Sequence, residues 1–297
     1  VKEKRRIFGD ERGGERMREE KRRETSGDGS AGILRLVREL HPRVHCITNL
    51  AAGPDVANIL LAAGARPILA QAKEEAGEIA TACSASVLNF GTPDREKLEA
   101  ATNAGLAAGA AGVPVTADPV GVGASAWRRE QVLQVLEKIR PDVIHCNFSE
   151  GQILLGEDTG FHGVDSACAG LEERIRCAGQ AAERYGCIVL LTGKEDVVSD
   201  GKRTRVIRGG SPAMGQITGT GCMLSAITGA FCAAARADGI EDFAAVSAAA
   251  SFWKACGKQA WEETEKARGG AGTFHGKLFD MAGFLTEWRE EIEDITR

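Results

Sequence analysis

The sequence of 297 residues lacks three features that mark common protein classes. No stretch is long and apolar enough to span a bilayer, and no apolar segment follows the charged N-terminus as in a secretory signal. The net charge of -5 is mild, so the folded part shows no basic excess that would attract a nucleic acid. We therefore expect no membrane partner, no nucleic-acid partner and a cytoplasmic location.

Paired cysteine motifs are also missing. None of the nine cysteines belongs to a C-x-x-C pair, which disfavours a zinc site. Their odd number and scattered positions fit no disulfide framework. This pattern predicts free thiols in a reducing cytoplasm.

The first thirty residues differ from the rest of the chain. They are crowded with Lys, Arg, Glu and Gly and lack the apolar content that would offset the entropy lost on ordering. The sequence predicts a disordered charged tail over residues 1–30 and a single folded domain over residues 31–297. Mixed charge argues against a mitochondrial presequence. The alternative to a genuine disordered tail is a start codon assigned too far upstream.

Beyond that tail, short apolar segments alternate with alanine-rich helical patterns, which is typical of an α/β sheet with parallel strands. We expect strands at residues 113–117, 143–146 and 187–191, and a hairpin around an Asp-Gly turn at residues 200–201. The C-terminal third favours helices over residues 221–238, 243–267 and 275–295.

The most informative segment is Thr218-Gly219-Thr220-Gly221-Cys222, which opens into an apolar helical run. Closely spaced glycines let backbone N–H groups approach an anion, and the helix that follows adds its positive end. A phosphate site is one interpretation and an ordinary capped loop is the other. In a phosphate site, the Cys222 thiol is expected to have a lowered pKa and to act as a base or nucleophile.

Small polar residues follow three of the predicted strands. Asp118 ends one of them and is a candidate magnesium or phosphate-side acid, although a simple turn with Pro119 explains it equally well. The segment 147–150 offers an amide, a hydroxyl and a carboxylate, which suit magnesium. The same segment can also supply a helix N-cap from Asn147 or Ser149, and the two interpretations are compatible. Thr192 ends the third strand.

The order of these motifs closely resembles the hydroxyethylthiazole kinase family of the ribokinase-like superfamily. The resemblance spans about residues 44–285. Its matching segments are Val44-His45-Cys46-Ile47-Thr48-Asn49, residues 57–67, Asn89-Phe90-Gly91-Thr92, residues 118–124, Asn147-Phe148-Ser149-Glu150, Gly163-Val164-Asp165-Ser166, Thr192-Gly193, residues 218–222 and Gly272-Thr273-Phe274.

The resemblance implies a fold and a reaction. The fold is a ribokinase-like three-layer α/β sandwich, with a mostly parallel central sheet flanked by helices. The reaction is transfer of the γ-phosphoryl group of ATP to the primary alcohol of hydroxyethylthiazole, with Mg2+ present. A homotrimer is expected by analogy alone.

The resemblance also implies residue roles. The catalytic group would be Cys222 with the amides of Gly219, Thr220 and Gly221. Magnesium would be held, directly or through water, by Asp118 and Glu150. The thiazole substrate would lie against Asn49, Leu69, Gly91, Thr92 and Gly219. ATP would contact His145, Asn147 and Thr192.

Two residues depart from the family pattern. His145 stands where the family commonly has an arginine that binds nucleotide phosphate, which predicts weaker ATP binding because a histidine lacks the guanidinium fork. Leu69 replaces a methionine of similar volume, so we expect the thiazole site to survive. The rival functions are another small-alcohol kinase, such as a hydroxymethylpyrimidine kinase, and a non-catalytic thiazole or nucleotide sensor.

Overall fold

The computed structural model describes residues 29–157 and 170–295. Residues 1–28 of the predicted tail and the motif at residues 163–166 lie outside the described residues. Gly29 and Ser30, which the sequence assigns to the tail, belong to the first helix.

A nine-stranded sheet organises the described residues. The strands in chain order are β1 (Arg43–Ile47), β2 (Arg66–Ile68), β3 (Ala85–Asn89), β4 (Val115–Asp118), β5 (Val143–Asn147), β6 (Ile188–Thr192), β7 (Asp196–Ser199), β8 (Thr204–Ile207) and β9 (Ile292–Ile295). The α-helices are α1 (Gly29–Leu40), α2 (Gly53–Ala63), α3 (Ala76–Ala82), α4 (Arg95–Ala110), α5 (Ala126–Ile139), α6 (Phe148–Leu154), α7 (Leu171–Tyr185), α8 (Thr220–Ala237), α9 (Asp242–Lys266) and α10 (Ala271–Phe284), and a 3-10 helix spans Pro212–Gln216.

The strand order is β2-β1-β3-β4-β5-β6-β7-β8-β9. The first six strands are parallel, whereas β7, β8 and β9 pair antiparallel. Asn89 pairs in register with Asp118, and Asn147 with Thr192. Because parallel strands end at the same edge of a sheet, these four polar residues share one edge.

Helices cover both faces of the sheet, so the predicted three-layer α/β sandwich is confirmed. One apolar core includes α8 and α9, and the other includes α4, α5 and α7. Helix α8 is buried continuously from Cys222 to Ala235. It approaches β3 closely at Gly229, where a Cβ atom would lie 2.5 Å from Val87 Cγ2. Of the helices described, none has the length and apolar character needed to cross a membrane.

The hairpin prediction is confirmed, because β7 and β8 pair across the Asp200-Gly201 turn. The prediction of a helix over residues 275–295 is wrong at its end. Helix α10 stops at Phe284, and residues 292–295 form β9 on the outer side of β8. Arg205 of β8 pairs with Asp294 at 2.7 Å. Residues 292–295 form a strand because they pair with β8, which is distant in the sequence. Local periodicity does not show such pairing.

Candidate active site

Helix α8 begins at the glycine-rich segment. Gly219 is its N-cap at φ +89, where a Cβ atom would lie 3.1 Å from Ala52 Cβ, so both conformation and space favour glycine. The first helical hydrogen bond runs from Met223 N to Gly219 O. The N–H groups of residues 220–222 therefore have no partner from the turn before, as at any helix start. Thr220 Oγ1 donates to Met214 O at 3.1 Å and anchors the turn.

The Cys222 thiol lies on this first turn and is 8% exposed. Its Sγ accepts hydrogen bonds from Asn49 Nδ2 at 3.1 Å and Asn89 Nδ2 at 3.3 Å. Burial, and then the charge of Asp118, nevertheless raise the pKa of Cys222 to about 12. The expectation of a lowered thiol pKa is wrong, because desolvation and a neighbouring carboxylate outweigh the two amide donors. Cys222 is a protonated thiol at neutral pH.

Two asparagines join the ends of β1, β3 and β4. Asn49 Oδ1 accepts from the N–H groups of Ala51 and Ala52, both at 3.0 Å, which orients its Nδ2 toward Asn89 Oδ1 at 3.1 Å. Asn89 Nδ2 also donates to Asp118 Oδ2 at 2.8 Å. The motif segments include Asn89, but it received no predicted role. The signal for Asn89 is its position: an amide side chain at the end of a buried strand, next to Asp118 in the sheet.

Asp118 is almost fully buried and is bound from helix α8 as well. Ser225 Oγ lies 2.6 Å from Asp118 Oδ2, and His145 Nδ1 lies 2.6 Å from Ser225 Oγ. A serine hydroxyl has one proton. If Ser225 donates that proton to Asp118, His145 must donate from Nδ1 to Ser225. No signal in the sequence pointed to Ser225.

His145 lies under the first turn of α8, because a Cβ atom on Gly221 would be 3.6 Å from its Cε1. It is 3% exposed, and its buried Nε2 has no hydrogen-bond partner among the described residues. Burial lowers the pKa of His145, but the Asp118 carboxylate, whose Oδ2 lies 3.6 Å from His145 Nδ1, outweighs it, so the pKa is raised overall. The His145 side chain thus contacts Ser225 and lies next to Asp118. Its role in ATP binding stays a prediction.

Glu150 and Asn147 form a capping box at the start of α6. Asn147 Oδ1 accepts from Glu150 N at 2.9 Å, and Glu150 Oε2 accepts from Asn147 N at 2.9 Å. Glu150 Oε1 accepts from Gly121 N at 2.8 Å. Burial and then the Asp118 charge raise the pKa of Glu150 to about 7, although the backbone donors from Asn147 and Gly121 oppose the shift. The N-cap interpretation is confirmed, with Asn147 as the cap.

Thr192 ends β6 beside Asn147, and its Oγ1 lies 3.3 Å from Cys146 O. The turn that follows is held by two buried cations. Lys254 Nζ lies 2.8 Å from Gly193 O, 2.9 Å from Lys194 O and 3.1 Å from Asp196 Oδ1. Arg174 donates to the backbone oxygen and the carboxylate of Glu195. Neither cation had a sequence motif to mark it.

The Gly91–Thr92 turn packs against Asn49 and Asn89, the two asparagines that donate to Cys222 Sγ. A Cβ atom on Gly91 would lie 3.0 Å from Asn89 Oδ1 and 3.1 Å from Asn49 Cβ. Thr92 has φ +44, which is unusual for a residue with a side chain, and its Oγ1 lies 3.4 Å from Leu50 N. Leu69 follows β2 and is 46% exposed. It contributes no hydrogen bond to this network, since its side chain is apolar.

The structure thus connects seven of the predicted residues, either directly or through Asn89, Ser225 and Leu50. The connected set comprises Asn49, Gly91, Thr92, Asp118, His145, Gly221 and Cys222. Asn147, Glu150 and Thr192 lie at the adjacent strand ends.

A family model described as the hydroxyethylthiazole kinase family matches residues 34–287. The chain belongs to this family. A hydroxyethylthiazole kinase of Thermoanaerobacter pseudethanolicus is 37% identical over 264 residues, covering 88% of this chain and 98% of the relative. Another from Pyrococcus furiosus is 40% identical over 266 residues, covering 89% of this chain and 95% of the relative.

Solved structures agree with this assignment. The hydroxyethylthiazole kinase of Pyrococcus horikoshii superposes with a TM-score of 0.80 at 34% identity, covering 90% of this chain and 99% of that one. A Staphylococcus aureus pyridoxal kinase in complex with ADP gives a TM-score of 0.59 at 16% identity, covering 85% and 98%. That likeness concerns the fold alone and agrees with the predicted three-layer α/β sandwich. Every candidate site residue lies inside the segment matched to the hydroxyethylthiazole kinase family.

Proposed function

We propose that this chain transfers the γ-phosphoryl group of ATP to the primary hydroxyl of 4-methyl-5-(2-hydroxyethyl)thiazole, giving the thiazole phosphate and ADP. The hydrogen-bonded chain Asn49–Cys222–Asn89–Asp118 carries the proposal. It joins the candidate alcohol side of the site to the candidate metal side at the start of α8. The named relatives support the choice of substrate.

The first turn of α8 would stabilise the phosphoryl group in flight. Its N–H groups at Thr220, Gly221 and Cys222 are free of helical partners, and the helix adds its positive end. Phosphoryl transfer has a loose transition state in most analyses, so positioning and charge neutralisation matter more than a strong base. A protonated Cys222 thiol is compatible with that chemistry. In this scheme it lines the acceptor pocket without removing the hydroxyl proton in advance.

Asp118 and Glu150 fit magnesium through the chemistry of their donors. Both described hydrogen bonds to the Asp118 carboxylate end on Oδ2, so its Oδ1 is the oxygen that would face the ion or a water bound to it. Glu150 has a raised pKa because it is buried beside Asp118, and a divalent cation would offset that repulsion. Among the described residues, no group of three or more His, Cys, Asp and Glu side chains is arranged for a metal. Magnesium takes few protein ligands, because it keeps several of its waters. When bound, magnesium would neutralise charge on the phosphates.

The two substrates would bind on opposite sides of Cys222. ATP would lie against Asn147, Thr192 and the first turn of α8, with His145 beneath that turn. The thiazole would lie against Asn49, Gly91, Thr92, Leu69 and Gly219.

We further propose a homotrimer located in the cytoplasm. The trimer follows the family resemblance, and exposed Leu50 and Leu69 near the acceptor side support it as surfaces that a neighbouring subunit would cover. All cysteines among the described residues are free thiols, in keeping with a reducing compartment. Light scattering on the purified chain tests the trimer.

ADP release tests the proposed activity. Purified protein with ATP and magnesium would be assayed with hydroxyethylthiazole, with hydroxymethylpyrimidine and without an alcohol. We expect release that depends on the thiazole. Faster release with the pyrimidine would favour the other small-alcohol kinase, and thiazole binding without turnover would favour a sensor.

A further inference from the structure

Lys97 is a buried lysine in an electrostatically unfavourable position, the first turn of a helix. It is 8% exposed and lies in the first turn of α4, three residues after the N-cap Asp94. A cation there opposes the positive end of the helix, and burial removes its water. Charged side chains are rarely buried unless they are paired. Helix formation alone therefore does not explain this residue.

The partner of Lys97 is the acceptor-side turn. Its Nζ lies 2.6 Å from Gly91 O, and Gly91 N donates to Asn89 Oδ1 at 3.0 Å. Gly91 is therefore fixed through both its N–H and its carbonyl. The neighbouring Thr92 holds a positive φ, a conformation that persists only where its surroundings enforce it.

The charges around Lys97 belong to the same site. Burial lowers the pKa of Lys97 to about 8, while the carboxylates of Asp94 and Asp118 favour its charged form and Arg128 opposes it. The ammonium thus lies within electrostatic reach of the acid of the candidate active site. Its hydrogen bond to a carbonyl is charge-assisted and strong for its kind.

We propose that Lys97 is the positioning residue of the acceptor side: its ammonium fixes the Gly91–Thr92 turn against which the thiazole alcohol binds. Lys97 then sets the affinity for the alcohol and leaves the affinity for ATP unchanged, because the nucleotide side lies beyond Cys222 at the ends of β5 and β6. The inference rests on the proposed function and adds a residue to it.

Lys97→Met tests this by calorimetric binding of hydroxyethylthiazole without nucleotide and by both Michaelis constants. We expect the Kd and KM for the alcohol to rise about tenfold, which corresponds to about 1.4 kcal/mol. The KM for ATP should stay within about twofold. The matched control is Lys73→Met, which removes an exposed ion pair with Glu99 on the outer side of α4 and should change neither constant.

Three results decide the outcome. Unchanged alcohol affinity in Lys97→Met, or an equal rise in the KM for ATP, overturns the inference while the proposed function stands. Wild-type protein that neither binds nor phosphorylates hydroxyethylthiazole overturns both. If Lys97→Met does not fold, Lys97→Gln is judged by the same criteria, because its neutral amide is one bond shorter and loses the charged contact with Gly91 O.

Discussion

Ser225 Oγ lies 2.6 Å from Asp118 Oδ2 and ties the second turn of α8 to the end of β4. The contact spans 107 residues of sequence, and both side chains are buried. It sets the distance between the candidate phosphate-binding turn and the candidate metal-binding acid. This contact joins the two halves of the candidate site directly.

Removing that contact should slow the reaction. Ser225→Ala deletes the donor to Asp118 and the acceptor for His145 Nδ1. We expect kcat to fall about tenfold and the free energy of unfolding to fall by about 1.5–3 kcal/mol, the range for a hydrogen bond to a charged group. Steady-state kinetics and urea unfolding measure the two effects.

Thr228→Val is the matched control for Ser225→Ala. Thr228 lies one turn further along α8, is equally buried, and donates only to Leu224 O at 2.8 Å. Its kcat should match that of the wild type. Equal losses of kcat in both variants would show that Ser225 acts through helix stability and not through Asp118.

Lys254→Met should weaken ATP binding. Lys254 holds the carbonyls of Gly193 and Lys194, directly after the candidate ATP contact Thr192. Without it we expect the KM for ATP to rise about fivefold to tenfold, because the loss of about 1 kcal/mol or more of charge-assisted bonding frees that turn. The KM for hydroxyethylthiazole should not change.

Lys258→Met is the control on the same helix, one turn further along. Lys258 is half exposed and pairs with Glu291 at 3.4 Å. A Lys254→Met variant whose KM for ATP equals that of Lys258→Met would show that the Lys254 contacts with Gly193 O and Lys194 O do not position the nucleotide.

His145→Arg should tighten ATP binding. His145 lies beneath the turn formed by Gly221 and Cys222, and an arginine from this position supplies the guanidinium that the family commonly has. We expect the KM for ATP to fall severalfold. An unchanged KM in a folded variant would refute the idea that His145 limits nucleotide affinity.

The pKa of Glu150 predicts how stability depends on pH. It is raised from an ordinary 4.5 to about 7 by burial and then by the Asp118 charge, so the folded state binds this proton more tightly than the unfolded state. The free energy of unfolding should therefore fall by about 2–3 kcal/mol as pH rises from about 4.5 to 7. Urea unfolding without magnesium measures this slope.

Glu150→Gln provides the comparison, because it removes the titrating group and keeps an amide that can still cap α6. Its stability should vary less with pH across the same interval. Identical slopes for the variant and the wild type would mean that Glu150 does not titrate there.

Features that depend on neighbouring residues were predictable from the sequence. The Asp200-Gly201 hairpin, the Asn147 cap and the glycine-rich start of α8 each follow from local backbone preferences. The shared edge of Asp118 and Asn147 follows from parallel strands.

Features that depend on distant contacts were not predictable from the sequence. Ser225, Lys97 and Lys254 owe their roles to partners on other elements of the fold. The pKa of Cys222 is raised and not lowered, because the thiol is buried beside Asp118. The sequence does not show that burial. Strand β9 depends on the outer edge of β8 in the same way.

The central claim is that the γ-phosphoryl group passes from ATP to the thiazole alcohol in a site around Cys222. The most direct measurement is phosphorus NMR of the products formed from ATP, magnesium and hydroxyethylthiazole by the purified protein. The account predicts one phosphate monoester of the thiazole for each ADP formed. ADP accompanied by inorganic phosphate alone, or no ADP at all, would contradict it.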